Sequence, residues 1–556
     1  MSLEDTPEEE FSIHWIQDIV DEVLERDEAV YRINTGKSTS GSIHIGFVRE
    51  LVIADAIKRK LLEAGKSAHT MLVMDDFDPV RSFPPSVSLS LEEWLGKPYS
   101  DVPDENGCCV SFGAHKATEL IETFPEFGVN PEVIWQSEIY KKPEMLEAVR
   151  TCLKHTETIR QILIDYVARD FNDEQKAEYI DSMKTWYPVS VICPSCGRIQ
   201  AGAKGAIVPN RVTNYDEDTD RVLFSCPSCG HSDEIPLTDV RVKLSWRIDW
   251  PAKWYVLNVT CEPAGKDHSV KGGSFDTGLE ISKQVFGWDG PVKVPFEWVG
   301  IGGRDMATSE GIVFLPKDWL KIAPPELFRY LMLKTGITRA YDIRTERIPD
   351  MVDEFDRFER AYYGLEDVTE EQKERTQLLY PLCLSGKVSE EYIPKVPFKF
   401  AVITSQMEDI LGSDTVLERC KHVLRKQYGL DKIPQASIDL IPTRLQRAKT
   451  WAKEYGTQRD RVDVPDSVPD DIKSTITDDD RKFLQEFVEI LKCEPLEDEE
   501  LQAKVFETAR VVGLKDKRAF VVLYRILISR KSGPRLGGFI NLLGNEWVLN
   551  RIMSVL

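Results

Sequence analysis

Apolar and polar positions near the start of the chain follow one another in a pattern that predicts a βαβ unit. Residues 11–26 have the spacing of a short amphipathic helix, and the compact apolar run 29–33 predicts a strand. A loop rich in Gly, Ser and Thr follows over 34–45, and apolar residues at helical spacing then run from 47 to 61. The next strand is predicted over 69–74. A strand, a small-residue loop, a helix and a second strand together indicate a parallel sheet of the nucleotide-binding type.

The rest of the chain departs from this pattern. Between 95 and 242 the alternation is broken, and both cysteine-rich clusters lie in this part. Strand-like apolar runs return at 254–259 and 296–301, whereas the pattern beyond Asp350 is helical. Within the helical part, the acidic, proline-containing stretch 463–480 is typical of a linker or a long loop. We therefore expect an α/β fold followed by an all-α C-terminal domain.

Length and charge narrow the possible architectures and partners. A chain of 556 residues is too long for one ordinary core, so two or three domains are expected. The net charge of −22 is unusual for a nucleic-acid binder, although phosphate contacts need only a local basic face. The stretch 444–461 contains six basic residues and two acidic ones, and the stretch 515–535 contains seven basic residues and one acidic one. A solvated helix face is the alternative interpretation of each stretch.

The cysteines are better explained as metal ligands than as disulfides. The chain has no run of about 18 apolar residues and starts with an acidic, polar segment, so we expect neither a membrane span nor a signal peptide, and place the protein in the cytoplasm. Eleven cysteines in that compartment argue against a disulfide framework. Two identical CPSC segments supply Cys193, Cys196, Cys226 and Cys229. This spacing predicts a closed, structural zinc site of four thiolates, with His231 as a spare candidate only.

A second group of metal-ligand residue types lies further upstream. Asp104, Cys108, Cys109 and His115 offer one oxygen, two sulfurs and one nitrogen within twelve residues. From the residues alone, a buried cysteine pair beside a surface histidine is the more common explanation of such a group.

The loop from Thr35 to Gly46 is the first candidate for nucleotide chemistry. Its small residues allow a ligand to approach the backbone, and the helix that follows favours phosphate at its N-terminus. The spacing of a Walker loop is absent. His44 can donate a hydrogen bond to a phosphoryl oxygen and so stabilise charge that develops during transfer.

With these residues identified, the chain resembles the class I aminoacyl-tRNA synthetases, and most closely the class I lysyl-tRNA synthetases. The resemblance rests on motifs spread over nearly the whole chain. They are TG-x-x-x-SG-x-x-HIG at 35–46, DDFDP-x-R at 75–81, WRIDWPAKW at 246–254, GKDH at 265–268, GGSFD at 272–276, APPE at 323–326 and GPRLGGFI at 533–540.

This resemblance implies a fold, a reaction and a set of site residues. The fold would be a Rossmann-type parallel-sheet catalytic domain (residues 1–94 and 243–350), split by a zinc-bearing insertion (95–242) and followed by a helical domain for the tRNA anticodon arm (351–556). The reaction would activate L-lysine with Mg-ATP and transfer it to tRNA(Lys). The implied site residues are His44, Gly46 and Ser309 for catalysis; Ser40, Gly41, His44, Gly46, Arg304, Met306, Thr308 and Ser309 for ATP; and Gly36, Ser38, Trp246 and His268 for lysine. The resemblance also favours zinc at Asp104, Cys108, Cys109 and His115. A Trp face would cover the lysine stem and attract its ammonium.

The chain departs from the family at the second class I signature, a Lys-Met-Ser-Lys-Ser loop. Asp305 stands at the first Lys position, Thr308 at the second, and Glu310 follows. Acidic groups beside a triphosphate oppose its binding, so other cations would have to compensate. The candidates are Arg304, Lys253, Lys266 and Lys271. Two other functions therefore remain open: a synthetase-like paralogue that binds amino acid, adenylate or tRNA without efficient charging, and a zinc-ribbon nucleic-acid protein without ATP chemistry.

Overall fold

The computed structural model describes residues 15–202, 206–306, 313–493 and 495–556. The chain forms two compact units. The first contains the described residues up to Trp319, together with Pro325–Arg344 and Thr369–Val388. The second contains Leu320–Pro324, Thr345–Val368 and the described part of Ser389–Leu556.

The strands lie between Tyr31 and Ile343. They are β1 Tyr31–Ser38, β2 Ala68–Asp75, β3 Glu132–Trp135, β4 Val189–Val191, β5 Gln200–Ala201, β6 Val208–Pro209, β7 Val212–Asp216, β8 Arg221–Ser225, β9 Ser232–Pro236, β10 Val242–Leu244, β11 Cys261–Gly265, β12 Val292–Phe296, β13 Val299–Ile301, β14 Arg304–Asp305 and β15 Tyr341–Ile343.

The helices that precede residue 335 are interleaved with these strands. They are α1 Trp15–Leu24, α2 Gly46–Glu63, α3 Leu91–Trp94, α4 Phe112–Ile121, α5 Phe124–Phe127, α6 Gln136–Ile139, α7 Pro143–Lys154, α8 Thr156–Val167, α9 Asp173–Met183, α10 Trp246–Leu257, α11 Lys266–Ser269, α12 Ser274–Phe286, α13 Pro316–Ile322 and α14 Pro325–Lys334.

A five-stranded parallel sheet organises the first unit, as the sequence predicts. Its order is β12-β11-β1-β2-β3, and every neighbouring pair is parallel. β1 and β2 pair along their whole length, from Tyr31 beside Ala68 to Ser38 beside Asp75. Because the carboxyl ends of parallel strands share one edge, the segments that follow β1, β2 and β11 meet at one edge of the sheet.

The strand predictions need three corrections. The run 254–259 is not a strand, since α10 extends to Leu257; Trp250 and Trp254 are one helical turn apart and both donate to Glu262, which a helix allows. The predicted loop from Asn34 begins too early, because pairing with β2 keeps β1 extended to Ser38. The run 296–301 falls on two strands, the end of β12 and β13.

The cysteine-rich part packs against the sheet domain through α10. β4 and β10 form an antiparallel pair, and β7, β8 and β9 form a small antiparallel sheet. Val191 and Phe224 from these strands share one apolar core with Ile248 and Ala252 of α10. β3 belongs to the central sheet, although its residues fall within the span expected to be an insertion. Because Ile248 and Ala252 are used in this core, the other faces of α10 remain available to line a site.

The described part of the second unit consists of helices and the loops that connect them. Its helices are α15 Ile348–Tyr362, α17 Phe398–Ser405, α18 Glu408–Leu411, α19 Ser413–Tyr428, α20 Gln435–Glu454, α21 Asp470–Lys473, α22 Asp478–Leu491, α23 Asp498–Val511, α24 Asp516–Ile528, α25 Leu536–Leu543 and α26 Asn545–Met553, whereas α16 Glu370–Cys383 belongs to the first unit. The stretch 463–480 is a packed loop with one short helix, since Val468 and Ile472 join the core of the unit. The expected all-α C-terminal domain is therefore confirmed.

Candidate active site

One cavity at the carboxyl edge of the parallel sheet collects most of the residues that the sequence associates with substrate. Its volume is about 570 Å³. Gly36 and Ser38 line it from β1, Trp246 from α10 and His268 from α11. Alternate residues of a strand point to the same side, which is why Gly36 and Ser38 face one space. The structure thus brings together the four residues that the family resemblance implies for lysine.

Aromatic rings form one wall of this cavity. The ring centroids of Trp246 and His268 are 5.9 Å apart, and those of Trp250 and His268 are 5.5 Å apart, both with edge-to-face geometry. The Arg247 guanidinium lies 4.3 Å from the centre of the Trp246 ring, so one face of that ring is already covered by a cation. Burial lowers the pKa of His268, which keeps its ring neutral.

Two glutamates that also line the cavity, the half-buried Glu50 and the buried Glu262, were not found from the sequence. Glu50 lies one turn into α2 and accepts the backbone N–H of Gly36 at 3.3 Å. Glu262 of β11 accepts three donors: Asn34 Nδ2 at 2.7 Å, Trp250 Nε1 at 2.7 Å and Trp254 Nε1 at 2.6 Å. The sequence did contain one signal for Glu50: it is the fifth residue of α2, which begins at the Gly of the HIG motif, so its carboxylate lies close to that motif.

The two glutamates differ in what they have left to offer a ligand. Glu262 has a donor on each oxygen, so its hydrogen-bonding capacity is largely used. Glu50 accepts one backbone hydrogen bond and forms no ion pair with another described residue. Burial, and then the nearby charge of Glu262, raises the pKa of Glu50 well above its ordinary value. Glu50 is therefore the glutamate of the cavity that retains free acceptor capacity.

A network of charged side chains lines the same cavity. The Lys253 ammonium is 2.5 Å from Asp75 and 3.2 Å from Asp249. Asp249 also accepts the Tyr140 hydroxyl at 2.6 Å and the Gln136 amide at 2.7 Å. Lys253 is thus held by two carboxylates, and a buried paired cation is poorly placed to move to a triphosphate.

The first signature loop packs tightly between β1 and α2. A Cβ on Gly46 would approach His44 Nδ1 to 2.8 Å and Met306 Cε to 3.2 Å, so only glycine fits there without displacement. Ser40 lines the cavity, and Gly41 is buried. The N–H of Ile45 donates to the Phe314 carbonyl at 2.8 Å. These contacts place Met306, from the expected second signature, against the first.

His44 has the environment of a neutral hydrogen-bonding group. Its Nδ1 is buried and has no hydrogen-bond partner among the described residues. Burial, with the charge of Lys37 as a second cause, lowers the pKa of His44 to about 4. The ring is therefore uncharged at neutral pH and retains one N–H donor.

The second signature is described only in part. Arg304 is exposed on β14, and of Asp305 only the backbone is described. Thr308, Ser309 and Glu310 lie outside the described residues. Among the cations considered as replacements, Lys266 is 2.7 Å from Glu297 and, like Lys253, is already paired.

The two CPSC segments converge as their spacing predicts. The ligand atoms of Cys193, Cys196, Cys226 and Cys229 all lie within 4.8 Å of one another. The Sγ atoms of Cys193 and Cys229 are 3.7 Å apart, as are those of Cys196 and Cys226. Four convergent thiols fit a tetrahedral metal ion closed to water. His231 is not part of this group, and its backbone carbonyl accepts the N–H of Cys226.

The second candidate metal group also converges. The ligand atoms of Asp104, Cys108, Cys109 and His115 lie within 4.8 Å of one another. Cys108 Sγ is 3.2 Å from His115 Nδ1 and 3.3 Å from an Asp104 oxygen. The mixed oxygen, sulfur and nitrogen set is one that a divalent ion such as zinc accepts.

Within the described ranges, no helix combines the length and the apolar character needed to cross a bilayer.

Comparisons with known proteins agree with this geometry. Residues 13–383 match the family described as tRNA synthetases class I (K), and residues 415–556 match the one described as an anticodon binding domain. The lysine–tRNA ligase of Methanocaldococcus jannaschii is 32% identical over 549 residues, which cover 97% of this chain and 99% of that protein. That of Archaeoglobus fulgidus is 31% identical over 546 residues, or 98% and 100%. A solved glutamate tRNA ligase from Elizabethkingia meningosepticum aligns over 95% of this chain and 99% of its own, with 12% identity and a TM-score of 0.40.

Proposed function

This chain belongs to the family of class I tRNA synthetases of the lysine type, and from that membership we propose that it is a lysine–tRNA ligase of the cytoplasm. One observation in the structure carries the proposal. Gly36, Ser38, Trp246 and His268 line a single cavity, which is also lined by the half-buried carboxyl group of Glu50. An aliphatic stem that ends in an ammonium fits between aromatic rings and a carboxyl group.

The arrangement supports a specific orientation of lysine. The rings of Trp246 and His268 would cover the aliphatic stem, and Glu50 would accept the ε-ammonium in a charge-assisted hydrogen bond. Gly36 leaves the backbone open on that side, since the nearest atom to a Cβ there would be the Val73 carbonyl oxygen at 4.0 Å. An amino acid with a neutral side chain of the same length would leave Glu50 unpaired, which selects against it.

The loop around His44 would receive ATP. Ser40, Gly41 and Gly46 provide close access to the backbone at the N-terminus of α2, where phosphate is favoured. The neutral His44 ring would donate to a phosphoryl oxygen, and Met306, Thr308 and Ser309 would cover the nucleotide from the second signature. Lys253 and Lys266 are ion-paired, and Arg304 directly precedes the altered signature, so we assign Arg304 to the triphosphate and keep the exposed Lys271 as the other candidate.

The reaction would proceed in two steps. A carboxylate oxygen of lysine attacks the α-phosphorus of Mg-ATP, the bond to the bridging oxygen breaks, and pyrophosphate leaves. A ribose hydroxyl at the end of tRNA(Lys) then attacks the carbonyl carbon of lysyl-adenylate, loses its proton, and AMP leaves. The protein forms no covalent bond in either step, so its contribution is positioning and stabilisation of developing charge. The helical domain that includes 415–556 would hold the anticodon arm.

We propose zinc for both metal groups. In the four-cysteine group zinc would tie β4 and the turn after β8 together, and it would have no open position for a substrate. In the group of Asp104, Cys108, Cys109 and His115 it would order the segment that precedes α4. Zinc would supply structural crosslinking at both places and take no part in lysine activation.

Lysine-dependent exchange of pyrophosphate into ATP tests the proposal directly. The wild-type protein should catalyse exchange with lysine, and His44→Ala should reduce it by about 100-fold or more, as expected when a group that stabilises developing charge is removed. The rate at which a tRNA(Lys) transcript is charged should likewise be high for the wild-type protein and strongly reduced for His44→Ala.

The loss of both signature lysines, at Asp305 and Thr308, and the acidic Glu310 that follows favour one second candidate, a paralogue that binds lysine or tRNA without efficient charging. Calorimetric binding of lysine without any exchange activity would support the paralogue. Restoration of exchange by Asp305→Lys with Glu310→Lys would identify the altered loop as the cause.

A further inference from the structure

The two basic stretches of the second unit, 444–461 and 515–535, come together in the fold. Most of their cations have structural partners. Arg444 pairs with Asp356, Lys449 with Glu408, Arg518 with Asp480 and Arg535 with Glu499. Such pairs hold helices together and are already satisfied, so these side chains contribute little to a free basic face.

A cleft at the meeting point of the two stretches retains unpaired cations. Its volume is about 790 Å³, and it is lined by Gln458, Arg459, Arg530, Lys531, Ser532 and Gly533. Arg459 and Lys531 are exposed and form no ion pair with any described residue. The nearest acid in sequence, Asp460, is turned away, because its carboxylate accepts the N–H and the hydroxyl of Thr457 at 2.9 and 2.6 Å.

The two sides of this cleft are joined by Arg530. Its guanidinium donates to the carbonyl oxygens of Gln458 and Arg461, on either side of Arg459. This crosslink fixes the loop that carries Arg459 to the loop that carries Lys531. Two cations far apart in sequence are thereby held at one cleft before any ligand arrives, which lowers the ordering cost of binding.

The loop from Lys531 to Gly533 is itself anchored. The Tyr524 hydroxyl donates to the Pro534 carbonyl, and a Cβ on Gly533 would meet Ile528 Cδ1 at 2.6 Å and the Tyr524 ring at 3.0 Å. The backbone N–H groups of Lys531, Ser532 and Gly533 donate to no acceptor among the described residues. N–H groups without a protein acceptor, next to exposed cations, are available to donate to an anion.

From these observations we propose that the cleft is a phosphate-binding site for the RNA backbone, occupied by a phosphodiester held between Arg459 and Lys531 with the N–H groups of 531–533. The proposal rests on the proposed function, in that the RNA is taken to be tRNA. In a chain of net charge −22, a local site of this kind is needed for phosphate contact at all. Contacts of this type position an RNA without reading its bases.

The test measures the dissociation constant of a tRNA(Lys) transcript over a range of salt concentrations. Arg459→Ala and Lys531→Ala should each weaken binding by about tenfold at low salt and reduce the slope of log K against log salt by roughly 1. Lys531→Arg should retain most of the affinity. A transcript with an altered anticodon should lose the same factor, because the contact is to phosphate.

The matched control is Lys504→Ala, which removes the same charge from an exposed lysine that pairs with Glu507 at 2.6 Å. Its affinity and salt slope should equal those of the wild type. An unchanged slope in Arg459→Ala and Lys531→Ala, or an equal loss in Lys504→Ala, would overturn the proposal, as would a loss confined to one anticodon.

Lysine-dependent pyrophosphate exchange, which needs no tRNA, separates the two proposals. The three alanine variants should exchange at the wild-type rate if the cleft acts only on RNA. Absence of exchange in the wild type would count against the ligase function alone. The proposal that the cleft binds RNA phosphate would still be tested by the binding measurements.

Discussion

The substitution Glu50→Gln tests the lysine site most directly, because it removes a charge and preserves the shape of the side chain. Glu50 accepts the N–H of Gly36, and the amide oxygen of Gln can accept the same bond. Glu63→Gln is the matched control on the same helix, since Glu63 is exposed and pairs only with Lys60 at 2.8 Å.

The expected effect follows from burial of the charge pair. Loss of one partner from a buried, hydrogen-bonded ion pair costs about 2–5 kcal/mol, so the KM for lysine should rise by roughly 30-fold or more. The KM for ATP should change by less than about threefold, because Glu50 faces the amino-acid end of the cavity. Steady-state pyrophosphate exchange at varied lysine and ATP measures both constants, and Glu63→Gln should alter neither.

The pH dependence supplies an independent readout. Burial, and then Glu262, raises the pKa of Glu50, so the free protein holds this proton to higher pH than an exposed Glu would. Binding of the ε-ammonium requires the proton to leave. The kcat/KM for lysine should therefore rise with pH up to the raised pKa and then level off, and Glu50→Gln should remove that rise.

Stability should change in the opposite direction to affinity. A carboxyl group whose pKa is raised by folding contributes stability at low pH that is lost as the pH rises through the folded-state pKa. Glu50→Gln removes that loss, so without lysine the variant should unfold at a temperature equal to or above that of the wild type at neutral pH. A lower unfolding temperature, together with equal increases in KM for lysine and ATP, would refute the reasoning and assign Glu50 to packing.

Three further outcomes are expected at the other parts of the site. Trp246→Ala and His268→Ala should each raise the KM for lysine far more than that for ATP in exchange kinetics, and equal increases in both would indicate a packing role instead. Cys196→Ser should reduce the zinc found by metal analysis and lower the unfolding temperature by at least about 5 °C, whereas protein that stays fully folded after chelation would contradict a structural metal. Gly46→Ala should slow adenylate formation, because a Cβ there approaches the ring of His44. Since the pKa of His44 is about 4, the wild-type kcat at saturating lysine, where Glu50 is already ionised, should show no titration between about pH 5 and 8. A kcat that falls with an apparent pKa near 6.5 on acidification would contradict the neutral ring of His44.

Features whose parts are close together in sequence could be predicted from the sequence alone. The two CPSC turns, the group from Asp104 to His115 and the loop that ends at Gly46 each place their chemistry within a few residues. Local spacing nearly determines local geometry in such segments, so the convergence of the four CPSC thiols followed from the pattern, whereas a metal in the group from Asp104 to His115 was expected only from the family resemblance. The parallel sheet was predictable for a related reason, because a βαβ unit admits essentially one packing.

Long-range packing decided the rest. The apolar run 254–259 suggests a strand, yet α10 extends through it to Leu257, and periodicity does not distinguish a short apolar strand from the end of a helix. Glu50 and Glu262 can be recognised as site residues only because α2 and β11 bring them to one cavity. The number of donors to each carboxylate then shows which one can still accept a hydrogen bond from a ligand. In the same way, Arg459 and Lys531 share a cleft only because Arg530 joins their loops. The sequence does not reveal which group a charged side chain pairs with. Its burial and its partner, which depend on the tertiary structure, determine whether the side chain is available to a ligand or stabilises the fold.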